Sequence, residues 1–207
     1  MDRGGPRLSI YALKPQFQKV LRPLTGVLAR AGFTANQITV AAAAISVALG
    51  VFIALQLPDT RALVLIPMWM VVRMACNAID GMLAREYGQR SRLGGYLNEL
   101  ADVVSDTALY VPFALLPPFS PSWTAAVIVL AVVSEYAGAM GPLVGASRRY
   151  DGPMGKSDRA VVFGALGLWA AFAAPLPDWA ALVMPILAVA LVVTIVNRVR
   201  GGLKEES

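Results

Sequence analysis

The sequence predicts an all-α polytopic membrane protein, with six transmembrane helices preceded by an N-terminal interfacial amphipathic helix. Three observations predict it. Hydrophobic residues make up 57% of the 207 and charged residues only 15%, and the mean hydropathy is +0.61, too apolar for a domain surrounded by water. Apolar runs recur at close to the roughly 17–25 residues that cross a bilayer. The segments between the runs carry prolines, glycines and most of the charge.

Ahead of the first run, Phe17, Val20, Leu21, Leu24, Val27 and Leu28 recur at helical spacing. Lys19, Arg22 and Arg30 fall toward another face, the pattern of a helix lying in the membrane interface. Pro15 suits its first turn, whereas Pro23 is expected to break or bend it. The six runs follow at about 36–57, 62–84, 94–116, 122–145, 159–174 and 179–197, the fifth being short. They are separated by Pro58-Asp59, the polar run Glu86 to Arg92, Pro117-Pro118 with Pro121, Asp151-Gly152-Pro153, and Pro175 with Pro177. Pro67, Pro112 and Pro185 lie inside runs, where they kink or terminate a helix. The expected organisation is a juxtamembrane amphipathic segment over 1–33, a membrane domain over 34–199 and a cytoplasmic tail over 200–207, frayed from Lys204. No cleavable signal, internal repeat or soluble domain is evident.

Loop charge orients the bundle. Residues 1–35 carry Arg3, Arg7, Lys14, Lys19, Arg22 and Arg30 against Asp2; Arg85, Arg90 and Arg92 stand against Glu86; Arg148, Arg149, Lys156 and Arg159 stand against Asp151 and Asp158. The alternate loops hold only Asp59 with Arg61, and Asp178. The positive-inside rule places both termini and the two basic loops in the cytoplasm, as expected for a protein of a bacterial inner membrane. The net charge of +5 then reads as topology and anionic-lipid contact, not nucleic-acid binding. Cys76 is the single cysteine, so an internal disulfide and a cysteine zinc cluster are excluded. The absence of histidine excludes Ser-His-Asp chemistry and H-E-x-x-H zinc sites. Acid–base or metal work falls to carboxylates, amides and basic side chains.

One stretch is far more specific than the rest. Asn77, Asp80, Gly81, Ala84, Arg85, Gly94, Asn98 and Asp102 read N-x2-D-G-x2-A-R-x8-G-x3-N-x3-D. Arg73, Asn77 and Asp80 share one face of the second span; Asn98, Asp102 and Asp106 share one face of the third. Charged groups inside a span cost about 2.5–3.5 kcal/mol each on insertion scales, so two facing helices with this load imply a polar cavity between them. With Arg85 and Gly94 at the interface, Asp80 lies about 7–8 Å and Asp102 about 12 Å inside, at roughly 1.5 Å per residue. That depth describes a pocket open to the cytoplasm, which disfavours a midplane carrier site.

The stretch resembles the signature of the CDP-alcohol phosphotransferases, D-x2-D-G-x2-A-R-x8-G-x3-D-x3-D. Every spacing matches, and asparagines stand at two of the four aspartate positions, 77 and 98. Thr34-Ala35-Asn36-Gln37-Ile38-Thr39 resembles the same family's P-N-x-[LI]-T entry to the first span, with alanine for proline; for Thr34 or Asn36, a helix cap is the alternative. The resemblance implies attack by an acceptor hydroxyl on the β-phosphorus of a CDP-lipid such as CDP-diacylglycerol, releasing CMP. It implies Mg²⁺ or Mn²⁺, hard cations that take oxygen ligands. Four aspartates hold two ions in the family, and the last is also placed to take the acceptor's proton.

Carried over by position, Asp80, Asp102, Asn77 and Asn98 are the metal positions, and Asp102 is the candidate base. Gly81, Ala84, Arg85, Gly94, Asn36 and Thr39 are the nucleotide positions. An amide oxygen ligates a cation but adds no charge, so these four positions contribute −2 instead of −4. One tight ion is expected, or a second that arrives with substrate pyrophosphate. A register-shifted alternative uses Asp102 and Asp106 but breaks the spacing to Gly94. Glu99 points about 100° away from Asn98. Arg73 is open to a purely structural pairing with Asp102 or Asp106.

Arg148, Arg149, Lys156 and Arg159 surround Gly152-Pro153-Met154-Gly155. In several relatives the acceptor is phosphorylated and held by basic residues in this part of the bundle, which makes these four the acceptor candidates; contact with lipid headgroups is the alternative. Glu135 either faces the same cavity or pairs with a basic group. The resemblance further implies membrane lipids and a homodimeric partner. Two other readings remain: a non-catalytic descendant that binds nucleotide or lipid and regulates a partner, which the asparagines favour, and a transporter, which the shallow carboxylates oppose.

Overall fold

The computed structural model describes residues 14–205; the expectations resting on Asp2, Arg3, Arg7 and the last two tail residues lie outside them. Seven α-helices succeed one another: α1 (Lys14–Arg30), α2 (Ala35–Gln56), α3 (Leu65–Glu86), α4 (Arg92–Tyr110), α5 (Pro121–Ala139), α6 (Lys156–Ala173) and α7 (Val183–Lys204). Among the described residues there is no strand. Each apolar run is a helix, and the boundaries follow local chemistry. Thr34 caps α2, accepting from the Gln37 amide while the Gln37 side chain accepts from the Thr34 amide. Ser91 caps α4 by accepting from the Gly94 amide at 2.9 Å.

Three prolines behave more mildly than expected. Pro23 does not break α1, which runs through it; Pro23 is exposed, so the carbonyl deprived of its donor faces outward. Pro67 and Pro185 sit in the first turns of α3 and α7, where an N–H makes no bond within the α-helix. Pro112 marks the change from α4 to a 3-10 turn over Val111–Leu115. Two helix ends moved. The fourth run stops at Ala139, because Gly141-Pro142 switches the chain into a 3-10 turn. The last helix continues beyond 197 to Lys204, carrying Arg198 into the interior at 2% exposure.

Four segments are long and apolar enough to cross a membrane: Ala35–Gln56, Thr60–Glu86, Pro121–Ala139 and Asp178–Lys204. Neither α4 nor α6 meets that measure. Arg92, Glu99, Asp102 and Asp106 interrupt α4, and α6 spends its first turn on Lys156, Asp158 and Arg159. Their charge is answered inside the bundle, since α2 packs along α4, α3 against α6 and α5 against α7. At Gly50 the backbones of α2 and α4 come so close that a Cβ would lie 2.1 Å from the Ala108 carbonyl oxygen.

The molecule has two unlike ends. Toward the 111–119 and 176–184 turns, Ile53, Leu63, Phe113, Phe163 and Met184 form a dry core. Tyr110 stacks on Phe163 there, with ring centroids 3.6 Å apart. At the other end the C-terminal parts of α3, α5 and α7 meet the N-terminal parts of α4 and α6, and the buried side chains become charged. Val40, Ile45, Val51, Phe52 and Leu55 of α2 face outward, the apolar exterior that a hydrocarbon surround requires.

Candidate active site

The site is a junction of α3 and α4, closed below by α6. Asp80, nearly two turns short of the α3 terminus, is buried, and its Oδ2 accepts from the Thr39 hydroxyl of α2 at 2.7 Å. Asp102 is half-buried on α4. Its Oδ1 accepts from Arg73 Nη2 at 3.2 Å and from the Asn77 amide nitrogen at 3.4 Å, and its Oδ2 lies 2.5 Å from Lys156 Nζ. Asn77 therefore turns its nitrogen to Asp102, and its side-chain oxygen accepts no hydrogen bond from a described residue. Asn98 is half-buried on the same face of α4.

Deeper, Arg73 donates to both Asp102 and Asp106. It fills the gap between α3 and α4 where a polar cavity was expected. Arg159 is 1% exposed, and its Nη2 lies 3.0 Å from both Asp106 Oδ2 and Glu135 Oε1. Glu135 also meets Arg198 and Arg148, each at 3.4 Å, and Arg148 pairs with Glu99. A continuous ladder of ion pairs thus runs Lys156–Asp102–Arg73–Asp106–Arg159–Glu135–Arg148–Glu99. Pairing of this kind is what lets charges sit inside an apolar bundle. Beside Asp106, Glu135 and Arg159 lies a void of about 10 Å³, room for about one water molecule.

The nucleotide candidates gather above Asp80. Asn36 Oδ1 and Ser91 Oγ crowd Gly94, where a Cβ would come within 2.8 and 3.0 Å of them. Arg85 folds back over Gly81, its guanidinium 3.1 Å from where a Cβ would be. Gln89 ties this corner together, accepting from the Ala35 amide at 2.7 Å. Two of the six candidates have other work. Thr39 holds Asp80, and Ala84 packs against the small apolar cluster of Ala35, Ile79, Met82 and Leu83. Thr34 is the cap, which frees Asn36 to face Gly94.

The four acceptor candidates separate. Arg148, Lys156 and Arg159 reach the ladder, but Arg149 turns away to Asp151, at 2.9 Å, and to Glu205. It lines an open cleft of about 380 Å³ together with Arg148, Tyr150, Asp151 and Gly152. Glu205 also accepts from the Ser147 hydroxyl, at 2.9 Å, and from its amide. The Ser147 hydroxyl and amide, then Arg149, hold the Glu205 carboxyl below its ordinary value. Asp151, then Glu205, raises the Arg149 guanidinium above its own. Sequence reasoning missed Arg198, which lies one residue past the last apolar run. Its signal was the unpaired intramembrane Glu135, which demanded more than one cation.

The resemblance implies divalent ions, hard cations that take oxygen donors. Asp80 keeps one carboxylate oxygen without a hydrogen bond from a described residue, and the Asn77 and Asn98 amides add neutral oxygens. Both oxygens of Asp102 already face cations. The set fits one hard cation at Asp80 and does not fit two.

The model of the CDP-alcohol phosphatidyltransferase family matches residues 33–196. The inner membrane protein YnbA of Escherichia coli K12 is 41% identical over 196 residues, covering 95% of this chain and 97% of that protein. The Mycobacterium tuberculosis phosphatidylinositol phosphate synthase PgsA1 with CDP-DAG bound superimposes with a TM-score of 0.72 at 26% identity, covering 91% of this chain and 99% of that one. The same enzyme in complex with manganese and citrate gives 0.70 at 26% identity, covering 88% of each chain.

Proposed function

The chain belongs to the CDP-alcohol phosphatidyltransferase family, and on that premise we propose that it transfers a phosphatidyl group from a CDP-lipid such as CDP-diacylglycerol to an acceptor hydroxyl, releasing CMP. One observation carries the reading. The two carboxylates left in the motif are both held in place at the site, Asp80 on α3 by the Thr39 hydroxyl and Asp102 on α4 by Lys156 and Arg73, beneath the corner made by Asn36, Gly81, Arg85 and Gly94. The PgsA1 structure with CDP-DAG bound supports a CDP-lipid as donor.

In this reading the Asn36 and Arg85 side chains swing off Gly94 and Gly81 to admit the cytidine and ribose, and Arg85 then steadies the phosphates. Asp80, with the Asn77 and Asn98 oxygens, would hold one divalent ion, kept in place by the Thr39 hydroxyl. When bound, that ion supplies polarisation of the pyrophosphate and neutralises the leaving CMP. The acceptor hydroxyl forms the new bond to the β-phosphorus, and the bond from that phosphorus to the CMP oxygen breaks. Asp102 takes the hydroxyl proton. Arg148 and Lys156, half-exposed at the cytoplasmic mouth, are the acceptor's contacts; Arg159, fully committed to Asp106 and Glu135, positions them. Although α4 and α6 are too polar to cross alone, the ladder neutralises their charges, which supports six spans; loop charge supports cytoplasmic termini with α1 in the interface, and the family resemblance implies a homodimer.

A second reading is favoured by Arg73. A guanidinium shared by Asp102 and Asp106 is what a non-catalytic relative would use to close the site. The deciding experiment is CMP release from CDP-diacylglycerol by purified protein with Mg²⁺ or Mn²⁺, across a panel of hydroxyl acceptors with and without phosphate. Metal- and acceptor-dependent CMP is the expected result. Its absence with every acceptor, in protein that still binds CDP-diacylglycerol, establishes the second reading instead.

A further inference from the structure

Two aspartates of the family pattern are asparagines here, so these positions carry two negative charges fewer than the pattern would supply. Lys156, at the first position of α6, places Nζ 2.5 Å from Asp102 Oδ2, while Arg73 takes Oδ1. Along the ladder Asp102, Asp106, Glu135 and Glu99 are paired with Arg73, Lys156, Arg159, Arg198 and Arg148, five cations to four carboxylates, and Asp80 beside them has no ion-pair partner among the described residues. A divalent ion at Asp80 leaves two positive charges over, which the two negative charges of an incoming pyrophosphate neutralise. A second ion at Asp102 would meet an ammonium already in contact and two neutral amides. In a medium of low polarity such like-charge crowding is strongly unfavourable.

We propose that Lys156 is the second cation of this active site: a built-in ammonium on Asp102 that makes the protein a one-metal transferase. The proposal rests on the transferase reading for its role in turnover, but not for the binding it predicts. Lys156 keeps Asp102 ionised until the acceptor hydroxyl arrives, and its remaining N–H groups face the phosphate oxygens as the negative charge shifts to CMP. Its side chain is about one-third exposed, at 34%, so it reaches both the carboxylate and the open side.

Manganese binding by the purified protein, read from the electron paramagnetic resonance of free Mn²⁺, tests this apart from turnover. The wild type is expected to bind one Mn²⁺ per chain. Lys156→Gln should tighten that site about fivefold by removing a nearby positive charge, whereas Lys156→Arg should leave it unchanged. Asn77→Asp with Asn98→Asp should still bind one ion, and adding Lys156→Gln to that pair should bring the count to two. Two ions on the wild type, a second ion on the double aspartate variant with Lys156 in place, or unchanged or weaker binding by Lys156→Gln would each overturn the proposal. If the triple variant does not fold, the single Lys156 variants decide on affinity alone. Absence of CMP release with one-ion binding intact would count against the transferase reading and leave Lys156 as the second cation.

Discussion

Replacing Arg159 by methionine removes the central rung of the ladder while keeping a side chain that fills the space. Arg159 is 1% exposed and makes hydrogen bonds of 3.0 Å to Asp106, 3.0 Å to Glu135, 3.3 Å to the Met154 carbonyl and 3.4 Å to Ser134. Breaking a buried ion pair by deleting one partner costs about 3–5 kcal/mol, because the other charge stays buried. Both carboxylates keep a cation, Arg73 for Asp106 and Arg198 with Arg148 for Glu135, which points to the low end, about 3 kcal/mol. For a chain of this size each kcal/mol moves the melting temperature by about 2–4 °C, so a fall of about 6–12 °C is expected. The four tryptophans report it through intrinsic fluorescence in detergent. A double-mutant cycle with Asp106→Asn should show coupling of at least about 1 kcal/mol, since the two residues touch. A melting point within about 2 °C of the parent, or strict additivity in the cycle, would refute the ladder as a set of interdependent charges.

Asp80→Asn should lower CMP release at least about 100-fold, since several kcal/mol of charge stabilisation disappear with the carboxylate, while the melting point stays near the parent's; near-normal turnover would sink the assignment. Gly94→Ala puts a Cβ 2.8 Å from Asn36 Oδ1 and should raise KM for the CDP-lipid about tenfold or more through misplacement, which initial-rate kinetics would read. The Glu205 clasp should depend on pH with a definite sign. Because the folded carboxyl is held below its ordinary value of 4.5, the clasp is fully formed above that value and is lost as pH falls through the folded one. Protection of the Ser147 amide from hydrogen exchange, taken relative to its intrinsic rate at each pH, should fall in that acid window, and Glu205→Gln should abolish the dependence.

Most helix placement was legible because breakers and caps are local chemistry, as at Thr34 and Pro117-Pro118, while Gly141-Pro142, just as local, was passed over and the fourth run drawn too long. The motif was legible as two faces, and those faces do meet. Side-chain partners were not legible, because the depth of a charge depends on what answers it. Arg159 looked like a loop cation and lies in the interior, since Asp106 and Glu135 from two other helices both reach it. Arg149, its neighbour in the same basic loop, found Asp151 and Glu205 instead and turned outward. The expected cavity between α3 and α4 is occupied for the same reason: Arg73 has two carboxylates within reach on one helix face, and nothing in the spacing alone decides between an empty pocket and a filled one.

The ladder also constrains how the protein is made. Its partners enter the membrane in chain order, Arg73 before Asp102 and Asp106, then Glu135, then Arg148, Arg159 and finally Arg198. When the ribosome has delivered α5, Glu135 has no cation yet, and Asp106 has only Arg73. The nascent bundle must therefore hold α4 and α5 near water, or in the care of the insertion machinery, until α6 and α7 arrive with their arginines. A chain stopped after Ala146 should be cleared by membrane proteases, whereas the same truncation carrying Glu135→Leu should persist longer in pulse–chase labelling. For this bundle, assembly is an act of neutralisation completed only by the last helix.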